Sequence, residues 1–215
     1  MTIHETIPNI GLGTYMMSPD EAEMMTYEAI KVGYRHIDTA EVYRNEKGVA
    51  GGIKKAISDN IVKRSDLFIT TKVFPGNERW GQKQKTYEDV LEALNKSLDR
   101  LELSYVDLYL IHSAHADQTR LEQWKALIDL KQQEYIKFAG VANWNINHLE
   151  EVKQNGLLLP DTNQIELHPW AQQPELVSYL RENSVHIIAY SSFCLLYTSD
   201  AADEGLGVDL GGRRI

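Results

Sequence analysis

The amino-acid sequence favours an α/β protein built as a (β/α)8 barrel of the TIM type, incomplete, with about seven of the eight strands recognisable. Seven short strand-like runs alternate with six helical patterns, which is typical of right-handed βαβ crossovers and a parallel sheet. Polar or aromatic residues also stand at the carboxyl end of strand after strand. In a barrel these ends converge on one mouth, whereas an open sheet would scatter them along an edge.

The elements follow one another in a regular order. A strand at 10–14 precedes a helix that begins with Ser18, Pro19 and Glu21, which supply an N-cap, a first-turn proline and a capping-box glutamate. Gly33 ends this helix. The remaining strands are predicted at 36–40, 67–73, 106–111, 138–142, 162–167 and 185–191, and the remaining helices at 45–59, 86–103, 147–154, 174–182 and from a second capping box at Thr119 and Glu122.

A nucleotide-binding sheet of the Rossmann type is the main alternative fold. It requires the pattern G-x-G-x-x-G after the first strand, but Met16 occupies the position of the third glycine. Three further glycines fall inside the helical pattern 45–59 instead of directly after a strand. We therefore expect close helix packing, and not a phosphate-binding loop, at Gly48, Gly51 and Gly52.

Length and charge restrict the class of protein. The 215 residues carry a net charge of −9, and Lys and Arg form no stripe, so neither nucleic acid nor an anionic membrane is an expected partner. No apolar run approaches the roughly 20 residues that a membrane span requires. The polar N-terminus lacks the apolar core of a signal peptide, and the single cysteine, Cys194, excludes an internal disulfide. We expect a cytoplasmic protein.

The last part of the sequence differs from the rest. Residues 194–215 show neither helical nor strand periodicity and resemble the translated read-through of a sequencing-library adapter. We therefore expect one partial barrel domain, 1–193, and a non-native, disordered tail, 194–215. A complete barrel takes about 250 residues, so the shortfall fits the absence of the last βα unit.

Four polar residues at or near strand ends form the candidate catalytic group. Lys72 closes an apolar strand, where an ammonium is costly to bury without a carboxylate, and Asp38 at the preceding strand end is the available partner. His112 ends the next strand, and Tyr43 lies five residues after Asp38. A lysine close to both would hold Asp38 ionised and lower the phenol pKa from about 10, which makes Tyr43 a usable proton donor.

Two other classes of function are considered for the mouth of the barrel. A metal-dependent barrel hydrolase would use His112, His115, Glu166 and His168 as ligands, but no His-x-His lies on a strand, so we expect no metal site. A binding module that keeps the fold and a nucleotide without turnover is the second alternative. The four filled catalytic positions argue against it.

Several motifs resemble the aldo-keto reductase family. The resemblance runs from about residue 7 to residue 192 in the family's own order, through G-Y-R-H-I-D-T-A at 33–40, I-T-T-K at 69–72, D-L-Y-L-I-H at 107–112, G-V-A-N at 140–143, N-Q-I-E-L-H-P at 163–169 and A-Y-S at 189–191. It implies reduction of a small aldehyde or ketone by NADPH, with NADH as an alternative. It further implies Tyr43 as general acid, Lys72 and Asp38 as its ion pair, and His112 as the residue that orients the carbonyl.

The same resemblance assigns the residues around the cofactor and the substrate. Asn143 and Gln164 would hold the nicotinamide carboxamide and Tyr190 would stack on its ring, with further cofactor contacts from Gly13, Thr14 and Ser191. An aromatic wall around the substrate would consist of Tyr15, Phe74 and Trp80. Ala142 replaces the usual serine before Asn143, and Ser113 stands where some members carry tryptophan. We expect a monomer.

Overall fold

The computed structural model describes residues 2–192. Its strands are β1 (Gly11–Gly13), β2 (His36–Asp38), β3 (Phe68–Val73), β4 (Val106–Ile111), β5 (Ile136–Ala142), β6 (Thr162–Glu166) and β7 (His186–Tyr190). Its helices are α1 (Ile3–Thr6), α2 (Pro19–Lys31), α3 (Glu46–Ser58), α4 (Tyr87–Leu101), α5 (Arg120–Gln132), α6 (Ile146–Gln154) and α7 (Pro174–Glu182). The predicted tail, 194–215, lies outside these residues.

The strands form one parallel sheet in the order of the sequence, β1 to β7, and each strand pairs with the next. The sheet is strongly curved. Gln164 of β6 donates a hydrogen bond of 2.8 Å to Asp38 of β2, although three strands lie between them. Neighbouring strands are about 4.8 Å apart, so a flat sheet would separate these residues by about 19 Å. The predicted barrel architecture is confirmed for seven strands.

Apolar side chains fill both sides of this curved sheet. The larger cluster lies between the sheet and the helices and includes Ile37, Val73, Leu94 and Trp124. A smaller cluster fills the barrel interior with Phe68, Leu108, Leu110 and Phe138, and Ile3 of α1 packs against it. Because both faces of the central strands are covered, β3 and β4 are buried at every position, as expected for a parallel sheet.

The two predicted capping boxes have different outcomes. At α2 the Ser18 hydroxyl accepts from the Glu21 amide (3.3 Å) while the Glu21 carboxylate accepts from the Ser18 amide (2.8 Å), so this box is confirmed. At α5 the predicted start is confirmed, since Thr119 is the N-cap, but the box itself is wrong, because the Thr119 side chain makes no capping hydrogen bond. Glu122 instead accepts from the backbone amide of Tyr87 (2.8 Å), which links α5 to the start of α4.

Helices α2 and α3 pack closely through glycines. A Cβ atom on Gly48 would lie 2.0 Å from the carbonyl oxygen of Pro19, and one on Gly52 would lie 2.5 Å from that of Glu23. Backbone atoms of α2 therefore occupy the space that larger side chains on α3 would need. The prediction of close helix packing is confirmed for Gly48 and Gly52, whereas a Cβ on Gly51 would meet only side-chain atoms of Glu23.

No helix within residues 2–192 combines the length and the apolar character needed to cross a membrane.

Candidate active site

The mouth of the barrel, at the carboxyl ends of the strands, collects most of the predicted site residues. Parallel strands end on the same rim, so polar residues that close successive strands become neighbours in space. The residues at this rim are Asp38 (β2), Lys72 (β3), His112 (after β4), Asn143 (after β5), Gln164 (β6) and Tyr190 (β7).

Lys72 and Asp38 form a buried ion pair. The Lys72 side chain is 1% exposed, its Nζ contacts Asp38 Oδ1, and it also donates to the carbonyl oxygen of Thr39 (3.0 Å). The second oxygen of Asp38 accepts from Gln164 Nε2 (2.8 Å). An ammonium so far from water needs this compensation, because an unpaired buried charge costs several kcal/mol.

Tyr43 lies between the cation and the imidazole. It ends a short 3-10 helix, Glu41–Tyr43, that follows β2. Its hydroxyl is 3.5 Å from Lys72 Nζ and 3.4 Å from His112 Nε2. The structure thus brings together all four residues of the predicted catalytic group.

The pKa of Tyr43 requires a correction. Burial of the ring raises the pKa of the phenol above its ordinary value of 10, and the charge of Lys72 only partly offsets that increase. The expected net decrease was wrong, because the sequence reveals the cation but not the loss of water around the hydroxyl. Lys72 acts in the predicted direction. The phenol is therefore fully protonated near neutral pH, as a proton donor must be.

His112 is electrically neutral at physiological pH. Burial and the nearby Lys72 charge lower its pKa from 6.5 to about 4. Its Nδ1 atom is buried and has no hydrogen-bond partner among the described residues. A neutral imidazole in this position can orient an oxygen ligand by a hydrogen bond without adding a second positive charge beside Lys72.

The predicted cofactor-binding amides form one connected network. Asn143 has a left-handed backbone (φ 60°), donates from Nδ2 to the His112 carbonyl oxygen (3.4 Å), and accepts at Oδ1 from the Tyr190 hydroxyl (2.8 Å). Its backbone amide donates to the carbonyl oxygen of Gln164 (2.9 Å). Side-chain amides offer both a donor and an acceptor, the set that a carboxamide ligand requires. The residues present therefore fit a nicotinamide.

The three smaller predicted cofactor contacts differ in their surroundings. Gly13 is exposed, with no atom within 4 Å of the position of a Cβ, and Ser191 has a left-handed backbone (φ 55°). Thr14 is fully buried, and its hydroxyl lies 3.2 Å from the Asp38 carbonyl oxygen and 3.4 Å from Asn45 Oδ1. The Thr14 hydroxyl thus holds the end of β1 against the end of β2.

Asn45 is a residue of the site that sequence reasoning missed. Its Nδ2 donates to the carbonyl oxygens of Thr14 (2.7 Å) and Met17 (3.1 Å), and its Oδ1 accepts from the Thr39 hydroxyl (2.9 Å). Through these bonds Asn45 fixes the loop after β1, which carries Tyr15, at the rim of the barrel. An asparagine at the start of a predicted helix was the available signal, but it indicates a cap and not these long-range partners.

The aromatic wall divides into two parts. Tyr15, which is 69% exposed, lies with its ring centre 5.2 Å from that of Tyr43. Phe74 and Trp80 stack in nearly parallel planes at 6.2 Å, and the His115 ring lies 5.3 Å from Trp80. The rings thus line the rim beside Tyr43 and along the loop after β3.

The residues of the metal-hydrolase alternative do not converge. His168 Nε2 is 3.0 Å from Glu166 Oε1, whereas His115 Nδ1 is 2.8 Å from Ser113 Oγ. Residues 2–192 contain no group of three or more His, Cys, Asp or Glu side chains arranged to hold a metal ion.

Comparison with known proteins identifies the same family as the sequence motifs do. The sequence profile of the aldo/keto reductase family matches residues 9–198. The methylglyoxal reductase DkgA of Yersinia pestis is 40% identical over 94% of this chain and 66% of its own length. The glyoxal reductase of Bacillus subtilis is 41% identical over 86% of the chain and 63% of its own length.

A solved structure shows the same fold. The aldo-keto reductase AKR2E4 of Bombyx mori, crystallised in complex with NADP, superimposes with a TM-score of 0.77 at 36% identity, over 86% of this chain and 62% of that one. The chain spans 61–66% of the length of these two bacterial reductases and of the D/L-glyceraldehyde reductase of Hypocrea jecorina, to which it is 38% identical. On the strength of the profile match and these identities, the chain belongs to the aldo/keto reductase family.

Proposed function

We propose that the protein reduces small aldehydes or ketones to alcohols with NADPH, and that Tyr43 supplies the proton. The observation that carries this proposal is the Tyr43 hydroxyl, held within 3.5 Å of both the Lys72 ammonium and the His112 imidazole at the barrel mouth. The names of similar proteins, which include methylglyoxal, glyoxal and D/L-glyceraldehyde reductases, support the reaction type.

Four side chains have separate roles in the proposed proton transfer. His112, which is neutral, orients the carbonyl oxygen of the substrate by a hydrogen bond. When bound, the reduced nicotinamide supplies a hydride to the carbonyl carbon. Tyr43 then gives its proton to the oxygen, and the Lys72 ammonium stabilises the resulting phenolate until water restores the proton. Asp38 holds the Lys72 ammonium in place through the ion pair.

We propose that Asn143 and Gln164 hold the nicotinamide carboxamide and that Tyr190 lies against its ring. The hydrogen-bonded amides described above support this arrangement. NADPH is the preferred candidate because AKR2E4 was crystallised with NADP. NADH is the alternative, since a similar protein is named an NAD(P)H-dependent D-xylose reductase.

The aromatic wall favours apolar or aromatic carbonyl compounds. Tyr15 and Trp80 are exposed on the rim, where they can cover apolar parts of a substrate bound at Tyr43. Ser113 directly follows His112 and leaves more room there than a tryptophan would.

The experiment incubates the full chain with NADPH and either methylglyoxal or benzaldehyde, and follows cofactor absorbance together with the alcohol product by NMR. We expect one alcohol formed for each NADPH consumed. A chain that binds NADPH, as shown by fluorescence titration, but forms no alcohol would contradict this proposal and support the non-catalytic binding module.

The expected monomer and the cytoplasmic location stay predictions. Sedimentation velocity of the full chain tests the first, and cell fractionation tests the second.

A further inference from the structure

Glu41 connects the turn of Tyr43 with the loop after β3, two segments that have separate roles in the proposed reaction. Its Oε1 atom accepts from the backbone amide of Phe74 (2.7 Å) and from Lys85 Nζ (3.0 Å). Lys85 Nζ also donates to the carbonyl oxygen of Phe74 (2.8 Å). Both backbone polar groups of Phe74 are therefore bound by one ion pair, whose side chains are only 17% and 26% exposed.

This ion pair lies at the base of the loop after β3, which carries Phe74 and Trp80 of the aromatic wall. Phe74 is the first residue after β3, and Lys85 directly precedes the N-cap of α4, so the loop leaves and returns at this point. The Lys85 amide donates to the Pro75 carbonyl oxygen (2.8 Å). Gln123 of α5 donates to the carbonyl oxygens of Pro75 (3.0 Å) and Lys85 (2.8 Å). The loop base is thus held from α5 on one side and by Glu41 on the other.

Glu41 is also the first residue of the turn that ends at Tyr43. A 3-10 turn of three residues has few internal hydrogen bonds, here from the Tyr43 amide to the Ala40 carbonyl oxygen (3.1 Å) and from the Arg44 amide to the Glu41 carbonyl oxygen (3.2 Å). The contacts of the Tyr43 hydroxyl with His112 and Lys72, at 3.4 and 3.5 Å, are at the long end of the hydrogen-bond range. A displacement of the Tyr43 hydroxyl by about 1 Å would break both contacts, and a misplacement of that size lowers a reaction rate about 100-fold.

We propose that Glu41 is a positioning residue that makes the proton donor and the Phe74–Trp80 part of the aromatic wall one mechanical unit. Its backbone belongs to the turn of Tyr43, while its carboxylate holds the backbone of Phe74 and, through Lys85, the base of the Trp80 loop. The inference rests on the proposed function of Tyr43 for its catalytic meaning, but the mechanical connection is a separate claim. An ordinary surface ion pair would not connect the two segments.

Amide hydrogen exchange of the full chain, measured by NMR, tests the connection without turnover. Glu41→Ala removes the acceptor, and we expect exchange at the Phe74 amide to rise at least about tenfold, as for a lost hydrogen bond to a charged group. The Tyr43 amide does not contact the Glu41 carboxylate, so a parallel rise there reports the coupling. Glu41→Gln keeps a neutral acceptor, and we expect it to restore most of the protection at both amides.

The control is an ion pair of similar chemistry away from the site. Lys54 and Glu102 are 75% and 62% exposed, so Glu102→Ala should leave exchange at Phe74 and Tyr43 unchanged. If Glu41→Ala does not fold, Glu41→Met applies the same test, because it removes the acceptor of the Phe74 amide but keeps the length of the side chain. Faster exchange at Phe74 with an unchanged Tyr43 amide would overturn the inference.

Kinetic measurements distinguish a failure of this inference from a failure of the proposed function. With an active chain, Glu41→Ala should lower kcat with NADPH and benzaldehyde by about tenfold or more through misplacement of Tyr43, and Glu41→Gln should recover it. If the wild-type chain forms no alcohol, the proposed function fails, but the exchange measurements still decide the connection.

Discussion

The Lys72 side chain shows how a single buried charge is tolerated at the barrel mouth. Transfer of an ammonium into the protein costs several kcal/mol, and the contact with Asp38 together with the hydrogen bond to Thr39 repays that cost. Asp38 is in turn fixed by Gln164. The pair therefore depends on residues from β2, β3 and β6, and the position of the ammonium near Tyr43 is a property of the folded barrel.

Removal of both partners of the ion pair should destabilise the fold less than the two single removals added together. We expect Asp38→Asn to lower the free energy of unfolding by about 3–5 kcal/mol, because Lys72 is left unpaired, and Lys72→Met to cost a similar amount. The double variant leaves no unpaired charge and should lose clearly less than the sum of the two. Urea unfolding at neutral pH measures all three, and additive losses would contradict the account.

Single residues also show what the sequence can and cannot reveal. The residue types at strand ends were sufficient to predict that Asp38, Lys72 and His112 meet, since parallel strands end on one rim. The net pKa of Tyr43 could not be predicted, because burial depends on neighbours that are distant in sequence. The role of Asn45 was missed for the same reason.

At the scale of elements, the close packing of α2 and α3 depends on which glycines face backbone. Gly48 faces the Pro19 carbonyl oxygen, whereas a Cβ on Gly51 would meet only the end of the flexible Glu23 side chain. Alanine should therefore be rejected at the first position and accepted at the second, although both lie in the same helix.

This pair of glycines gives a matched test of the packing. Gly48→Ala should lower the free energy of unfolding by about 1–3 kcal/mol, since overpacking forces the helices apart. Gly51→Ala should be neutral or stabilising by up to about 1 kcal/mol, because alanine is the better helix former. Thermal and urea unfolding of both variants decide this, and equal effects would show that the glycines do not set the helix separation.

Both helix starts were predicted correctly, but the capping hydrogen bonds followed from the sequence only where both partners were local. The Ser18 box was predicted because its two hydrogen bonds join residues three apart. The same spacing failed at Thr119, where the Glu122 carboxylate binds Tyr87 on another helix instead. Competition from a tertiary partner is invisible in a sequence window. The short helix α1, which packs Ile3 against the barrel interior, gave no periodic signal at all.

At the scale of the whole molecule, the curved sheet makes the site possible. The alternation of strands and helices predicted a parallel sheet in sequence order, and the polar strand ends distinguished a barrel from an open sheet. The hydrogen bond between Gln164 and Asp38 shows the result, since it joins residues 126 positions apart in the chain. Curvature thus brings the Tyr43 side of the mouth close to the amides expected to bind the cofactor.

Tyr43 is the proposed proton donor of a carbonyl reduction at this mouth, and the other proposed roles depend on it. The most direct measurement compares the full chain with its Tyr43→Phe variant, with the rate of NADPH-dependent benzaldehyde reduction and the affinity for NADPH measured side by side. We predict that the variant loses at least about 100-fold in rate, as for removal of a general acid, while its affinity for NADPH stays unchanged. A variant that reduces the aldehyde at the wild-type rate would contradict the account.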